Sequence, residues 1–142
     1  MTQTLTTPDE TAPPAAAPPA TPKGLTVLLA EDDRALRRYF EVVLRRAGYE
    51  VVAASDGLEA MKAALSRPFD AVVTDAVMPH LGGPELCRFL RRHPKLSGLP
   101  LVLLSGSGEP PTGAAADFDA FISKPVRAEE LGACLSRLLK RD

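Results

Sequence analysis

The chain has little that would direct it to nucleic acid or to a membrane. Its 142 residues include 17 Lys and Arg against 18 Asp and Glu, and residues 24–142 carry 16 of each kind. The basic excess expected of a nucleic-acid or anionic-membrane surface is therefore absent. No apolar run approaches the roughly 18 residues that span a bilayer, and the N-terminus lacks the basic and apolar regions of a secretory signal. The composition predicts a cytoplasmic protein without nucleic-acid or membrane partners.

Cysteine is also scarce, since the chain has only Cys87 and Cys134. Each lies on the apolar stripe of a predicted helix, where a free cysteine behaves as a small hydrophobic residue. We therefore interpret both as core residues rather than as a disulfide, in agreement with the reducing conditions of the cytoplasm.

Proline is abundant but unevenly distributed. The first 23 residues are mostly Thr, Pro and Ala, and they have few large apolar side chains. Such a segment cannot bury enough surface to offset the entropy of ordering. The sequence thus predicts a disordered leader over residues 1–23 and one domain over residues 24–142, a size that forms a core without disulfides.

The domain alternates short apolar runs with amphipathic helical patterns. The runs predict strands at residues 25–30, 51–54, 71–75, 101–105 and 120–122. Helical connections between buried strands predict a parallel sheet covered on both faces, which is a three-layer α/β sandwich. Because residues 106–119 contain glycines and Pro110-Pro111, we expect a shortened or irregular fourth helix there.

Two helix starts can be predicted from their capping residues. Asp33 is interpreted as the N-cap of the first helix. Asp56 begins a pattern that resembles a capping box and precedes the second helix. The spacing of Leu58, Met61 and Leu65 predicts that these three residues face the core.

Polar residues follow four of the five predicted strands. Glu31 and Asp32 follow the first strand, Asp75 and Ser105 end the third and fourth, and Lys124 follows the fifth. Ligands of an open parallel sheet bind beyond the carboxyl ends of its strands. Clustered carboxylates repel one another unless a cation neutralises them, and their oxygens with an open position suit Mg²⁺. A lysine and a hydroxyl can bind an anionic group, so the pattern predicts a phosphoryl site. The absence of a P-loop argues against a nucleoside triphosphate as the substrate.

Four segments carry a family resemblance. They are residues 27–33 (VLLAEDD), 72–79 (VVTDAVMP, with Gly82-Gly83 after it), 104–106 (LSG) and 121–125 (FISKP). Together they resemble the receiver domain of two-component response regulators, over residues 24–142. The resemblance implies a flavodoxin-like five-stranded sheet of order 2-1-3-4-5, the order of the chemotaxis regulator of this family.

The resemblance also implies the roles of the reacting groups. Asp75 matches the phosphoacceptor, whose carboxylate attacks a phosphohistidine of a partner histidine kinase or phosphotransfer protein. The implied Mg²⁺ ligands are Glu31, Asp32, Asp75 and the backbone carbonyl of Val77.

Further positions of the site follow from the same resemblance. Lys124 and Ser105 match the residues that contact the phosphoryl oxygens. Ser105 and Phe121 match a pair that moves on phosphorylation and acts as a switch. The residues of the supporting turns are Met78, Pro79 and Pro125.

The expected output is protein contact rather than chemistry on a separate substrate. No output domain follows the last predicted helix, so we expect signalling through a downstream protein target, onward phosphotransfer or a weak homodimer. The domain is expected to be a signalling protein that catalyses only its own phosphorylation and dephosphorylation. Because Val77 is apolar and cannot orient a water, the phosphoryl group is expected to be long-lived.

Three alternatives stay open at this point. One is a phosphatase with an aspartyl-phosphate intermediate, although Val77 stands where such enzymes have a second acid. Another is a flavin- or dinucleotide-binding module, although Pro111 occupies the position of the third glycine of a loop that starts at Gly106. The third is a receiver-like scaffold that acts without phosphorylation.

Overall fold

The computed structural model describes residues 24–106 and 117–140, which form one five-stranded parallel sheet. Its strands lie in the order β2-β1-β3-β4-β5. This order confirms the prediction. The strands are β1 (Thr26–Ala30), β2 (Glu50–Ala54), β3 (Ala71–Asp75), β4 (Leu101–Ser105) and β5 (Ala120–Ser123).

Four helices are described, and their starts follow the capping chemistry of the sequence. They are α1 (Arg34–Arg46), α2 (Gly57–Ser66), α3 (Gly83–Arg92) and α4 (Ala128–Leu139). Asp33 caps α1 by accepting a hydrogen bond from the backbone N–H of Leu36 at 3.0 Å. Asp56 caps α2 by accepting one from the backbone N–H of Glu59 at 2.7 Å. Both predicted N-caps are therefore confirmed.

The sheet separates two apolar cores, because alternate residues of each strand face opposite sides. On one side, Phe40 of α1 and Leu135 of α4 pack against Val27 and other strand residues. On the other side, Leu86 of α3 and Ala60 of α2 pack against Leu28 and its neighbours. This arrangement is the predicted three-layer sandwich, with helices on both faces.

The two cysteines lie in different cores and are free. Cys134 belongs to the core under α1 and α4, and Cys87 to the core under α2 and α3. Burial raises the pKa of the Cys87 thiol to about 12, and it also raises the pKa of Cys134. Both are core residues, as predicted, and their thiols stay protonated at neutral pH.

The predicted inner face of α2 is confirmed at Met61, which packs against the core, and is wrong at the other two positions. Leu58 and Leu65 are 38% and 53% exposed, and the buried positions of α2 are Gly57, Ala60 and Ala64. No side chain fits at Gly57, because a Cβ there would collide with the backbone carbonyl of Leu81.

Two predictions fall outside the described residues. They are the disordered leader over residues 1–23 and the irregular helix, most of which falls within residues 107–116.

Candidate functional site

The turn after β1 holds Glu31 in a buried position that is 1% exposed. The Oε2 atom of Glu31 accepts a hydrogen bond from the backbone N–H of Asp33 at 3.0 Å. Its Oε1 atom accepts one from Nζ of Lys124 at 3.2 Å. Its backbone N–H donates to the carbonyl of Ala54, the last residue of β2, at 3.1 Å. Glu31 is thus fixed both to the neighbouring strand and to the segment after β5.

Lys124 joins the ends of three strands. Its Nζ atom lies 2.8 Å from Oδ1 of Asp75, the last residue of β3, and 3.2 Å from Oε1 of Glu31. Its backbone N–H donates to the carbonyl of Ser105, the last residue of β4, at 2.8 Å. The carboxyl ends of β1, β3, β4 and β5 therefore meet at one site, as the sequence pattern predicts.

The acidic residues at this edge form a cluster that fits a divalent cation. Glu31, Asp32 and Asp75 each offer a carboxylate oxygen, and the three oxygens lie within 4.8 Å of one another. One lysine against three carboxylates leaves an excess of negative charge, which a cation would offset. Glu31 and Asp75 are buried while Asp32 is exposed, so one side of the cluster is open to the waters that Mg²⁺ retains. The residues present therefore fit Mg²⁺, with these three as side-chain ligands.

Burial and charge act on the ionisable groups of the cluster in opposite directions. The pKa of Glu31 is raised above 4.5, chiefly by burial and also by the charge of Asp75, against the opposing hydrogen bond from Asp33. Burial works to lower the pKa of Lys124, but its hydrogen bond to Asp75 and the charges of Glu31 and Asp75 outweigh burial and raise that pKa above 10.5. Lys124 is therefore charged at neutral pH, where it faces the acidic cluster.

The raised pKa of Glu31 gives an expected pH dependence of stability. Without metal, its contribution to the free energy of unfolding is fully present below pH 4.5 and is lost as the pH rises through the raised pKa. Urea denaturation in EDTA across this range measures the loss. The loss is expected to be smaller in Asp75→Asn, because the charge of Asp75 is one of the causes of the shift. Equal pH profiles of the two proteins would contradict the coupling.

Four of the predicted residues line a cleft of about 540 Å³. This cleft is lined by Asp75, Ala76, Val77, Pro84, Ser105, Gly106 and Lys124. Ser105 is buried, and the side chain of Val77 is 80% exposed at the cleft. The cleft thus brings together the predicted phosphoacceptor, the two residues predicted to contact the phosphoryl group, and Val77.

The predicted switch and turn residues lie on β5 and on the loops that follow β3 and β5. Phe121 of β5 is half-buried and lies opposite Leu103 of β4 in the sheet register. Met78 is buried and Pro79 is exposed in the loop between β3 and α3, and the peptide bond from Lys124 to Pro125 is cis. Their roles in switching and support stay predictions.

Sequence reasoning missed two long-range contacts, one in the loop after β3 and one at the amino ends of β4 and β5. The side chain of His80 is 66% exposed, and its Nδ1 lies 2.9 Å from Oδ2 of Asp56. The Nη2 atom of Arg91 in α3 lies 2.6 Å from Oδ2 of Asp119, and its Nη1 atom donates to the carbonyl of Leu99 at 2.6 Å. No local pattern reveals either pair, because the partners are 24 and 28 residues apart.

The fold and the site together define a receiver domain. Residues 27–136 match the family described as response regulator receiver domain, and the chain belongs to this family. Receiver domains are the phosphoacceptor signalling domains of two-component systems. Among the described helices, none has the length and apolar character needed to cross a membrane.

The relatives of the chain include longer regulators. Response regulator MprA of Mycobacterium avium is 38% identical over 120 residues, which are 82% of this chain and 52% of that protein. The transcriptional regulatory protein GltR of Pseudomonas aeruginosa is 31% identical over 121 residues, 83% of this chain and 50% of that protein. The chain spans about half the length of the curated relatives it matches.

Solved receiver structures agree with the fold. The response regulator TrrA of Thermotoga maritima, crystallised in complex with Mg²⁺-BeF, has a TM-score of 0.75 at 27% identity, covering 81% of this chain and 99% of that one.

Proposed function

We propose that residues 24–142 are a receiver domain that accepts a phosphoryl group on Asp75 from a partner histidine kinase or phosphotransfer protein. The reaction depends on Mg²⁺ and takes place in the cytoplasm. The phosphorylated domain then signals through contact with a downstream protein or through onward phosphotransfer. The observation that carries this proposal is the contact of Lys124 with both Asp75 and Glu31, inside a cluster of three carboxylates.

The geometry supports a direct transfer to Asp75. A carboxylate oxygen of Asp75 forms the bond to phosphorus while the phosphorus–nitrogen bond of the donor phosphohistidine breaks, and the imidazole is the leaving group. Lys124 offsets the charge of the phosphoryl oxygens and the hydroxyl of Ser105 donates a hydrogen bond to them, so that both act by positioning and charge. Mg²⁺, held by Glu31, Asp32, Asp75 and the carbonyl of Val77, would supply further neutralisation of that charge.

Intact-mass analysis after treatment with acetyl phosphate and Mg²⁺ tests the proposal. The wild type is expected to gain one phosphoryl increment, which EDTA and Asp75→Asn both abolish. Asp33→Asn is a matched control, because it removes a carboxylate from the adjacent turn while asparagine still caps α1. A wild type without the increment would defeat the proposal and favour a scaffold that acts without phosphorylation.

The apolar side chain of Val77 gives an expected lifetime for the phosphoryl group. Val77 is 80% exposed at the cleft that contains Asp75, and it has no polar atom to orient an attacking water. Val77→Asn is therefore expected to shorten the lifetime about tenfold, measured as loss of the phosphoryl increment after the donor is removed. Val77→Leu keeps the apolar character and serves as the control. Equal lifetimes of Val77→Asn and the wild type would contradict this explanation.

A further inference from the structure

An arginine of α1 contacts the backbone of the acidic turn. The Nη1 atom of Arg37 donates a hydrogen bond to the main-chain carbonyl of Glu31 at 2.9 Å. Glu31 lies one residue beyond the end of β1. The arginine thus binds the first carbonyl after the strand, where the chain turns toward α1.

Arg37 is itself held in place by the turn that it contacts. Its backbone N–H donates to the carbonyl of Asp33 at 2.8 Å. Asp33 caps α1 at Leu36 and donates its own N–H to the side chain of Glu31. These hydrogen bonds close a small network around Asp32, which lies between Glu31 and Asp33.

Asp32 depends on this network for its orientation. Within residues 24–106 and 117–140, no hydrogen bond or ion pair holds its exposed carboxylate, in contrast to Glu31 and Asp75. Its position is therefore set by the backbone of the turn. Backbone donors of α1 hold Asp33, and Ala54, Asp33 and Lys124 hold Glu31, while Arg37 adds a hydrogen bond from a side chain of α1 to the carbonyl of Glu31.

The charge of Arg37 has no carboxylate partner in the part of the chain that the structure describes. Its guanidinium contacts a neutral carbonyl, and the side chain is half-buried. A surface arginine without a role is normally solvated, as Arg38 is on the exposed face of the same helix. Ordering a long side chain against one carbonyl costs conformational entropy. Stabilisation of the turn by this hydrogen bond would offset that cost.

We infer that Arg37 is a positioning residue for the Mg²⁺ site, which holds the turn after β1 so that the carboxylate of Asp32 faces Asp75. This inference rests on the proposed function, since it concerns the same cluster. Groups that orient metal ligands without touching the metal commonly change metal affinity by one order of magnitude or more.

Isothermal titration calorimetry with Mg²⁺ alone tests the inference on the full chain. Arg37→Met keeps much of the length of the side chain and removes its donors, and it is expected to raise the Kd for Mg²⁺ about tenfold. Arg37→Lys keeps the charge and is expected to fall between Arg37→Met and the wild type. Arg38→Met is the matched control, with the same change of charge one residue along, and is expected to stay within about twofold of the wild type.

Hydrogen exchange in EDTA gives a second readout that needs no metal. Faster amide exchange is expected over residues 31–36 in Arg37→Met and not in Arg38→Met. The Tm in EDTA reports any general loss of stability. A lower Tm for Arg37→Met with an unchanged Kd would show a structural role only and overturn the inference.

The Mg²⁺ titration has two other informative outcomes, one against the inference alone and one against the proposed function as well. Tighter Mg²⁺ binding in Arg37→Met with unchanged binding in Arg37→Lys would show that the charge of Arg37 acts by repulsion, and it would overturn the inference alone. A wild type that binds no Mg²⁺ would defeat the proposed function together with the inference.

Discussion

Lys124→Met is expected to slow phosphorylation of Asp75 by about two to three orders of magnitude. Lys124 lies 2.8 Å from Asp75 and is the cation that contacts both buried carboxylates of the cluster. Methionine has a similar length and no charge. In this variant, no lysine charge would offset the repulsion between the phosphoryl oxygens and the carboxylates of the cluster. The loss is large because the group acts in a partly buried site, where charges interact more strongly than in water.

The rate of appearance of the phosphoryl increment with acetyl phosphate and saturating Mg²⁺ measures this effect. Lys62→Met, at an exposed position of α2, is the control for loss of a surface lysine and is expected to match the wild type. Circular dichroism checks that the variant is folded. A rate for Lys124→Met within about fivefold of the wild type would show that Lys124 is not a phosphoryl contact.

Gly83→Ala is expected to lower the free energy of unfolding by about 3 kcal/mol. A Cβ at Gly83 would collide with the backbone carbonyl of Asp75, and it would lie 2.8 Å from Cδ1 of Leu103 and 3.0 Å from Cα of Ala76. The obstructing atoms belong to the backbone and to a buried side chain, which cannot move aside without shifting β3 or α3. The gain in helix propensity from alanine, about 1 kcal/mol, is too small to offset this collision.

Gly132→Ala is the matched control for this substitution. Gly132 lies inside α4, and apart from its chain neighbours and the nearby backbone of its own helix, no described atom lies within 4 Å of the added Cβ. Urea denaturation is expected to show Gly132→Ala about 0.5 to 1 kcal/mol more stable than the wild type. If Gly83→Ala were equally stabilised, α3 would not pack against the end of β3 as closely as described.

The strands and the site residues could be predicted because both depend on short patterns. Each strand is a nearly continuous apolar run, and parallel connection brings the carboxyl ends to one edge. Once Asp75 ends β3 and Lys124 follows β5, their proximity is a consequence of topology. The two N-caps, Asp33 and Asp56, could also be predicted, because each cap bonds to a backbone N–H only three residues along the chain.

The face of α2 could not be predicted from hydropathy. Leu58, Met61 and Leu65 have helical spacing, but so do Gly57, Ala60 and Ala64, which lie one position away. The choice between the two faces depends on the space left by a neighbouring loop. That space depends on the tertiary structure, and the hydropathy pattern of the helix alone does not indicate it.

Contacts of long side chains were missed for a related reason. The hydrogen bond from Arg37 to Glu31 and the pairing of His80 with Asp56 join residues whose local patterns indicate only an exposed helix face and a loop. In both cases the hydrogen-bond partner of the side chain is defined only after the turns of the chain have formed. Such partners are determined by the geometry of the turns after strands β1 and β3.

The inward alanines of α2 have a consequence for local unfolding. Ala60 and Ala64 bury far less apolar surface than the leucines of α3, at roughly 0.8 kcal/mol for each buried CH₂ group. The free energy that holds α2 on the sheet is correspondingly small, so α2 should open more readily than α3. Because Asp56 at its start also contacts His80, each opening of α2 would release the loop that follows Asp75.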